Sequence, residues 1–173
     1  MTNLPAKLLD NVSVTRAVPE EKPVLANLLE LYAHDFSEFH AIEIGPDGRF
    51  EYSNLPLYWT ETGRHPFLVR IDGRLAGLVL VKKGSEVSAD PAVWDMAEFF
   101  ILRAYRRRGI GTQVAHRIWN QFPGRWEVRV MESNLLALHF WADAISKFTG
   151  ETVRPSRIEK ATDHWQLFSF ESR

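Results

Sequence analysis

The chain has 173 residues, 45% hydrophobic and 25% charged, which fits one folded domain and excludes a disordered polymer. Its 21 Lys+Arg nearly balance 22 Asp+Glu, so no bulk attraction to nucleic acid or to a membrane surface is expected. Zero cysteines exclude disulfides, thiolate metal sites and a cysteine nucleophile. No apolar run approaches the ~18–20 residues of a membrane span, and no signal-like apolar core opens the chain, so a cytoplasmic protein is expected. Six Trp and eleven Phe point to a well-filled core or an aromatic-lined pocket.

Residues 11–18 alternate apolar and polar and predict a first strand. Pro19-Glu20-Glu21 opens a helix: proline suits its first turn, and the carboxylates favour its N-terminal dipole. Val24, Leu25, Leu28, Leu29 and Tyr32 recur at helical spacing and form its buried face. Residues 34–64 scatter Phe36, Phe39, Phe50, Tyr52, Tyr58 and Trp59 without periodicity and read as a short helix and loops.

Regular pattern returns at Pro66. Two apolar runs flank Asp72-Gly73, the signature of a two-residue hairpin. Residues 94–102 read as a strand, 110–122 as an amphipathic helix, and 125–131 as the next strand. Ser133 and Asn134 offer caps for a helix that ends at Gly150. Two strands, near 151–159 and 163–170, follow. The order β-α-(α)-β-β-β-α-β-α-β-β describes a mixed sheet with helices on its faces.

The stretch that carries chemistry joins strand 94–102 to helix 110–122. Gly109 and Gly111 sit at the helix start, where glycine permits positive φ and close approach of the backbone. The first turn of a helix presents unpaired N–H groups and a partial positive charge, and Arg106, Arg107 and Arg108 add formal charge beside it. Together these describe a site for a phosphorylated ligand, most naturally a pyrophosphate. A phosphate-binding P-loop is absent, and position 114 is Val, which breaks the dinucleotide pattern G-x-G-x-x-G. The arginine triplet has no second basic cluster beside it, which speaks against a nucleic-acid surface.

Arg106-x-x-Gly109-x-Gly111, after an apolar strand and at the opening of an amphipathic helix, resembles the [QR]-x-x-G-x-[GA] motif of the GNAT N-acetyltransferases. Asn134, Ala137 and the aromatic at 141 match the N-x-x-A-x-x-x-[aromatic] spacing of that family's second segment. The resemblance is closest to a bacterial branch of uncharacterised substrates. It covers essentially 11–171 and implies one N-acetyltransferase domain over 1–173. The implied fold is α/β (α+β): a mixed, mostly antiparallel sheet of about six or seven strands with helices on both faces and a splayed strand pair.

The resemblance further implies acetyl-CoA as co-substrate, without a metal. The backbone of Phe99, Phe100 and Ile101 would pair with the pantetheine arm. The amides of residues 107–112, with Arg106, Arg107, Arg108, Gly109, Ile110, Gly111 and Thr112 as the motif residues, would hold the pyrophosphate. Asn134 would touch the pantetheine, and Trp141 would wall its channel. Position 141 is Trp where the family usually carries a tyrosine that serves as general acid, and an indole N–H cannot deliver a proton. The acid role then falls to no residue, to His139, or to Tyr58 or Tyr32.

Transfer to an amine needs a base, because a free alkylamine is protonated at neutral pH. Glu98 is the first candidate and Asp95 the second. An odd step between them puts them on opposite faces of a regular strand, so only one should face the cleft unless a bulge intervenes. Acceptor pockets of the family are built from the region equivalent to 30–64, which holds acidic residues among aromatics. Asp35, Phe36, Tyr58 and Trp59 are the candidates there, and they suit a cationic small-molecule amine. His34 and His40 have no recognised ligand spacing. Peptide or protein acetylation, and a non-catalytic CoA-binding module, are the alternatives. Many relatives pair through their late strands, which allows a homodimer.

Overall fold

The computed structural model describes residues 11–160 and 163–173; residues 1–10 and 161–162 of the expected domain lie outside the described residues. Among the described residues, seven strands form one sheet in the order β1-β2-β3-β4-β5-β7-β6. They are β1 (Val12–Arg16), β2 (Arg64–Ile71), β3 (Arg74–Lys83), β4 (Trp94–Ile101), β5 (Gly124–Met131), β6 (Ser156–Lys160) and β7 (Asp163–Ser172). All neighbours run antiparallel except β4 and β5. The helices are α1 (Lys22–Phe36), the single turn α2 (Leu57–Thr60), α3 (Ile110–Gln121) and α4 (Leu135–Thr149). This is the mixed, mostly antiparallel architecture that the sequence implies.

Strand alternation divides the core between the two faces of the sheet. Val79, Val81, Met96 and Trp126 pack with Ile118 and Trp119 of α3 and Trp141 and Ile145 of α4. Leu78, Leu80 and Phe100, on the opposite face, pack with Leu25, Leu28 and Leu29 of α1 and with Tyr58 of α2. The hairpin between β2 and β3 turns at Asp72 (φ 49°) and Gly73 (φ 77°), both left-handed as a two-residue Asp-Gly turn requires.

Two irregularities shape the centre. β4 and β5 are in register only at Trp94↔Trp126 and Asp95↔Glu127, although each strand is eight residues long. Beyond that point the strands part, and the β5-facing backbone of the rest of β4 has no strand partner among the described residues. The second irregularity is a bulge: Leu80 pairs with Glu98 and Val81 with Met96, so Ala97 is the extra residue on β4.

Some boundaries differ from the sequence reading. The strand expected over 151–159 begins only at Ser156, because Pro155 has no N–H to give a ladder. The first strand spans 12–16 rather than 11–18, and Val18, extended before Pro19, leads into the turn of Pro19–Glu21 that precedes α1.

Candidate active site

The bulge at Ala97 decides how the two acidic residues of β4 point. Asp95 pairs with Lys82 and Glu98 with Leu80, and those partners lie two apart on β3. Asp95 and Glu98 therefore face the same side of the sheet, the side covered by α1, where a regular strand would have separated them. Their surroundings differ. Glu98 opens onto a cavity of about 850 Å3 that the lining of α1, the 47–58 segment, β4 and β5 encloses. Asp95 lies almost fully buried beside it, held by Arg129 Nη2 at 2.9 Å and by Lys82 Nζ at 3.7 Å.

Glu98 Oε1 accepts a hydrogen bond from Tyr52 Oη at 2.9 Å, and the Tyr32 hydroxyl of α1 acts on the same carboxylate. Burial pushes the Glu98 carboxyl above the usual carboxylate range, and the two hydroxyls and Arg129 pull it back part of the way. Burial likewise raises Asp95, against the pull of Arg129 and Lys82. Both cations are shared with Glu86 of the β3–β4 loop, which lies across Arg129 and Lys82. The phenols of Tyr32, Tyr52 and Tyr58 are all raised, first by burial and then by the Glu98 charge, so they stay protonated.

The expected acceptor residues separate into two pairs. Phe36 and Tyr58 line the cavity. Asp35 does not; it is forked by Arg103 Nη2 and Arg106 Nη2, each at 2.6 Å. Trp59 is also turned away, its indole donating to Ala17 O at 3.1 Å. Tyr52, Lys82 and Arg129 were missed as site residues. Tyr52 lies in an aperiodic segment 46 residues from Glu98, where only the tertiary fold brings the two together.

A second part of the cavity begins at the opening between β4 and β5. Phe99 and Trp141 line the cavity and meet edge to face at 4.9 Å between centroids. Asn134 also lines it while capping α4, its Oδ1 accepting from Ala137 N at 3.0 Å. That bond leaves the side-chain amide nitrogen available as a donor.

Between β4 and α3 the chain turns through left-handed Arg107 (φ 60°) and Gly109 (φ 73°). Amides of Ile110, Gly111 and Thr112 open α3 with no intrahelical acceptor. A Cβ built on Gly109 would meet nothing within 4 Å, so the turn faces open space. Gly111 serves packing instead: a Cβ there would come within 2.9 Å of the Phe140 ring of α4. Arg106 is committed internally, with Nε donating to Ile101 O at 2.6 Å and its guanidinium over the Phe100 ring at 5.5 Å. Arg107 and Arg108 are exposed beside the turn. The open turn, the unpaired first-turn amides and the parted strands fit an extended ligand that ends in a pyrophosphate.

Comparison with known proteins agrees with this geometry. The model of the acetyltransferase (GNAT) family matches residues 25–144. The chain belongs to the GNAT family. As a member it is an acetyl-CoA-dependent acyltransferase, and β4 and β5 part as the splayed strand pair implied by the resemblance would. Solved structures share the GNAT fold at low identity. An acetyltransferase of Thermus thermophilus is 14% identical, with a TM-score of 0.67 over 92% of this chain and 96% of that one. A GNAT-family acetyltransferase of Streptococcus pneumoniae is 17% identical, with a TM-score of 0.61 over 94% and 100%. Salmonella typhimurium yncA, solved with its cofactor acetyl-CoA, is 10% identical, with a TM-score of 0.63 over 94% of each chain. No curated protein matches the sequence.

Proposed function

We propose that the protein acetylates a primary amine of a small molecule by direct attack, with Glu98 as the base. The observation that carries this reading is the position of Glu98. The bulge turns its carboxylate into the cavity at the point where β4 and β5 part. Burial raises its proton affinity, which suits a group that must take a proton near neutral pH. The cavity of about 850 Å3 is shared with the side lined by Phe99, Asn134 and Trp141, so the remainder, walled by Tyr32, Phe36, Tyr58 and Trp165, suits a small acceptor rather than a protein surface.

Acetyl-CoA supplies the acetyl group activated as a thioester. The amides of residues 107–112 receive its pyrophosphate, and Asn134 and the unpaired β4 backbone near Phe99–Ile101 receive the pantetheine. Backbone N–H groups of that same segment are the donors for a developing oxyanion. Trp141, wedged against Phe99, walls the channel and excludes water, and it contributes no proton. Leaving-group protonation is not essential, since a thiol of pKa near ~8.5 leaves readily as thiolate.

The test begins with calorimetric titration of acetyl-CoA against ATP and NAD, followed by a screen of amines for thiol release. Selective acetyl-CoA binding is expected. Glu98→Gln should bind it with unchanged affinity and lose roughly 10²–10⁴-fold in turnover. Undiminished turnover in that variant overturns the base assignment. Binding without thiol release from any amine would instead favour a non-catalytic CoA-binding module, the reading that Trp141 in place of tyrosine invites.

A further inference from the structure

Tyr58 carries a polar atom that the fold leaves unsatisfied. Its side chain is 1% exposed, yet Tyr58 Oη has no hydrogen-bond partner among the described residues. A buried hydroxyl without a partner is disfavoured, so its retention calls for an explanation in function or in a bound group. Its two polar neighbours, Tyr52 and Arg64, act on the phenol without meeting its oxygen in hydrogen-bond geometry, and each has a nearer partner. Tyr52 Oη donates to Glu98, and Arg64 Nε donates to Glu61. The Arg64 guanidinium stacks over the Tyr58 ring at 5.4 Å, and α2 packs that ring against Leu25, Leu78 and Leu80, which fixes where the hydroxyl sits. Tyr58 and Glu98 line the same cavity, and the Glu98 charge acts on the Tyr58 phenol directly.

We propose that Tyr58 Oη is the second anchor of the acceptor nitrogen, and that the pair Glu98–Tyr58 selects primary amines over their N-alkylated forms. This rests on the reading of Glu98 as the base. An alkylammonium has three N–H donors: one serves the Glu98 carboxylate and a second serves the lone pairs of Tyr58 Oη. When Glu98 takes its proton, the neutral amine keeps two N–H bonds. The lone pair first points at Glu98, and a third of a turn about the C–N bond carries it to the remaining position, toward the side on which β4 and β5 part, with an N–H again on each anchor. An N-methylammonium fills both anchors only with its methyl in the position the lone pair must take, and the turn that frees that position puts the methyl against a hydroxyl or a carboxylate. A site whose buried polar group goes unmatched discriminates strongly, because the mismatch leaves that group unpaired again.

The experiment pairs butylamine, phenethylamine and putrescine with their N-methyl counterparts, using wild type, Tyr58→Phe and Glu98→Gln. Wild type should favour each accepted primary amine by about tenfold or more in kcat/KM. Tyr58→Phe should lose about tenfold on primary amines and little on N-methyl ones, so the preference collapses. Its melting temperature should stay level or rise, since the substitution removes an unpartnered hydroxyl. An unchanged ratio of primary to N-methyl activity, a wild type without preference, or a wild type that accepts none of the primary amines overturns the proposal. If Glu98→Gln loses turnover while Tyr58→Phe keeps the ratio, this inference falls alone. If Glu98→Gln keeps turnover, the reading beneath it falls too.

Discussion

Glu98 is set against two opposing influences, and each can be removed separately. Burial raises its carboxyl, whereas the hydroxyl of Tyr52, donating at 2.9 Å, favours the charged form and lowers it. A base must be ionised to accept a proton, so kcat/KM should fall as pH drops through the folded-state value of Glu98. Because that value is raised, the acidic limb should lie above the ordinary glutamate range of about 4.3. Tyr52→Phe removes the stabilising hydroxyl and should move the limb to still higher pH, with the plateau at alkaline pH largely kept. The check is a pH profile of kcat/KM for both proteins with one accepted amine. A limb that stays in place, or moves down, would detach Tyr52 from the chemistry.

At the scale of elements, the approach of β3 to β4 determines whether the bulge stays in register. Gly77 pairs with Ile101, and a Cβ there would lie 2.0 Å from Phe100 O, a backbone atom that cannot step aside. Gly77→Ala should therefore push the end of β4 outward, at a cost of roughly 1–3 kcal/mol seen as a lower denaturation midpoint. An unchanged midpoint would mean that the strand pair tolerates separation. Glycine at 77 was not legible in the sequence, since nothing local marks a strand residue for contact with a backbone 23 positions on. The same holds for Ala97, an ordinary residue whose bulge arises from cross-strand register. By contrast, Asp72-Gly73, the caps at Asn134 and Gly150, and the turn into α3 were legible, because each rests on local backbone chemistry. Arg106 shows the boundary between the two cases. The motif identifies its position, but its partner Asp35 lies 71 residues earlier on α1, and only the folded chain joins them.

For the whole molecule, one sheet separates the proposed acceptor side, roofed by α1 and α2, from the layer of α3 and α4, and the parted strands β4 and β5 connect the two. The Asp35 fork ties α1 to the segment leading into the donor turn, so both sides are anchored to the same end of β4. A ligand that spans this joint binds the folded chain and not the unfolded one, and so raises stability by mass action. At a concentration of about 100 times Kd the gain is about 2.7 kcal/mol, or a rise in melting temperature of about 5–10 °C for a chain of this length. Gly109→Asp should abolish that rise. Its Cβ would project into the open space before the turn, and its carboxylate would repel a pyrophosphate there. The substitution also puts an L side chain at φ 73°, a strain of about 1–2 kcal/mol that lowers the melting temperature of the ligand-free protein by a few degrees. The two effects separate in one thermal-shift series: strain appears without acetyl-CoA, and lost binding appears as a midpoint that no longer moves when it is added. A variant that keeps the full rise would remove the α3 turn from the pyrophosphate site, while leaving Glu98 and its cavity untouched.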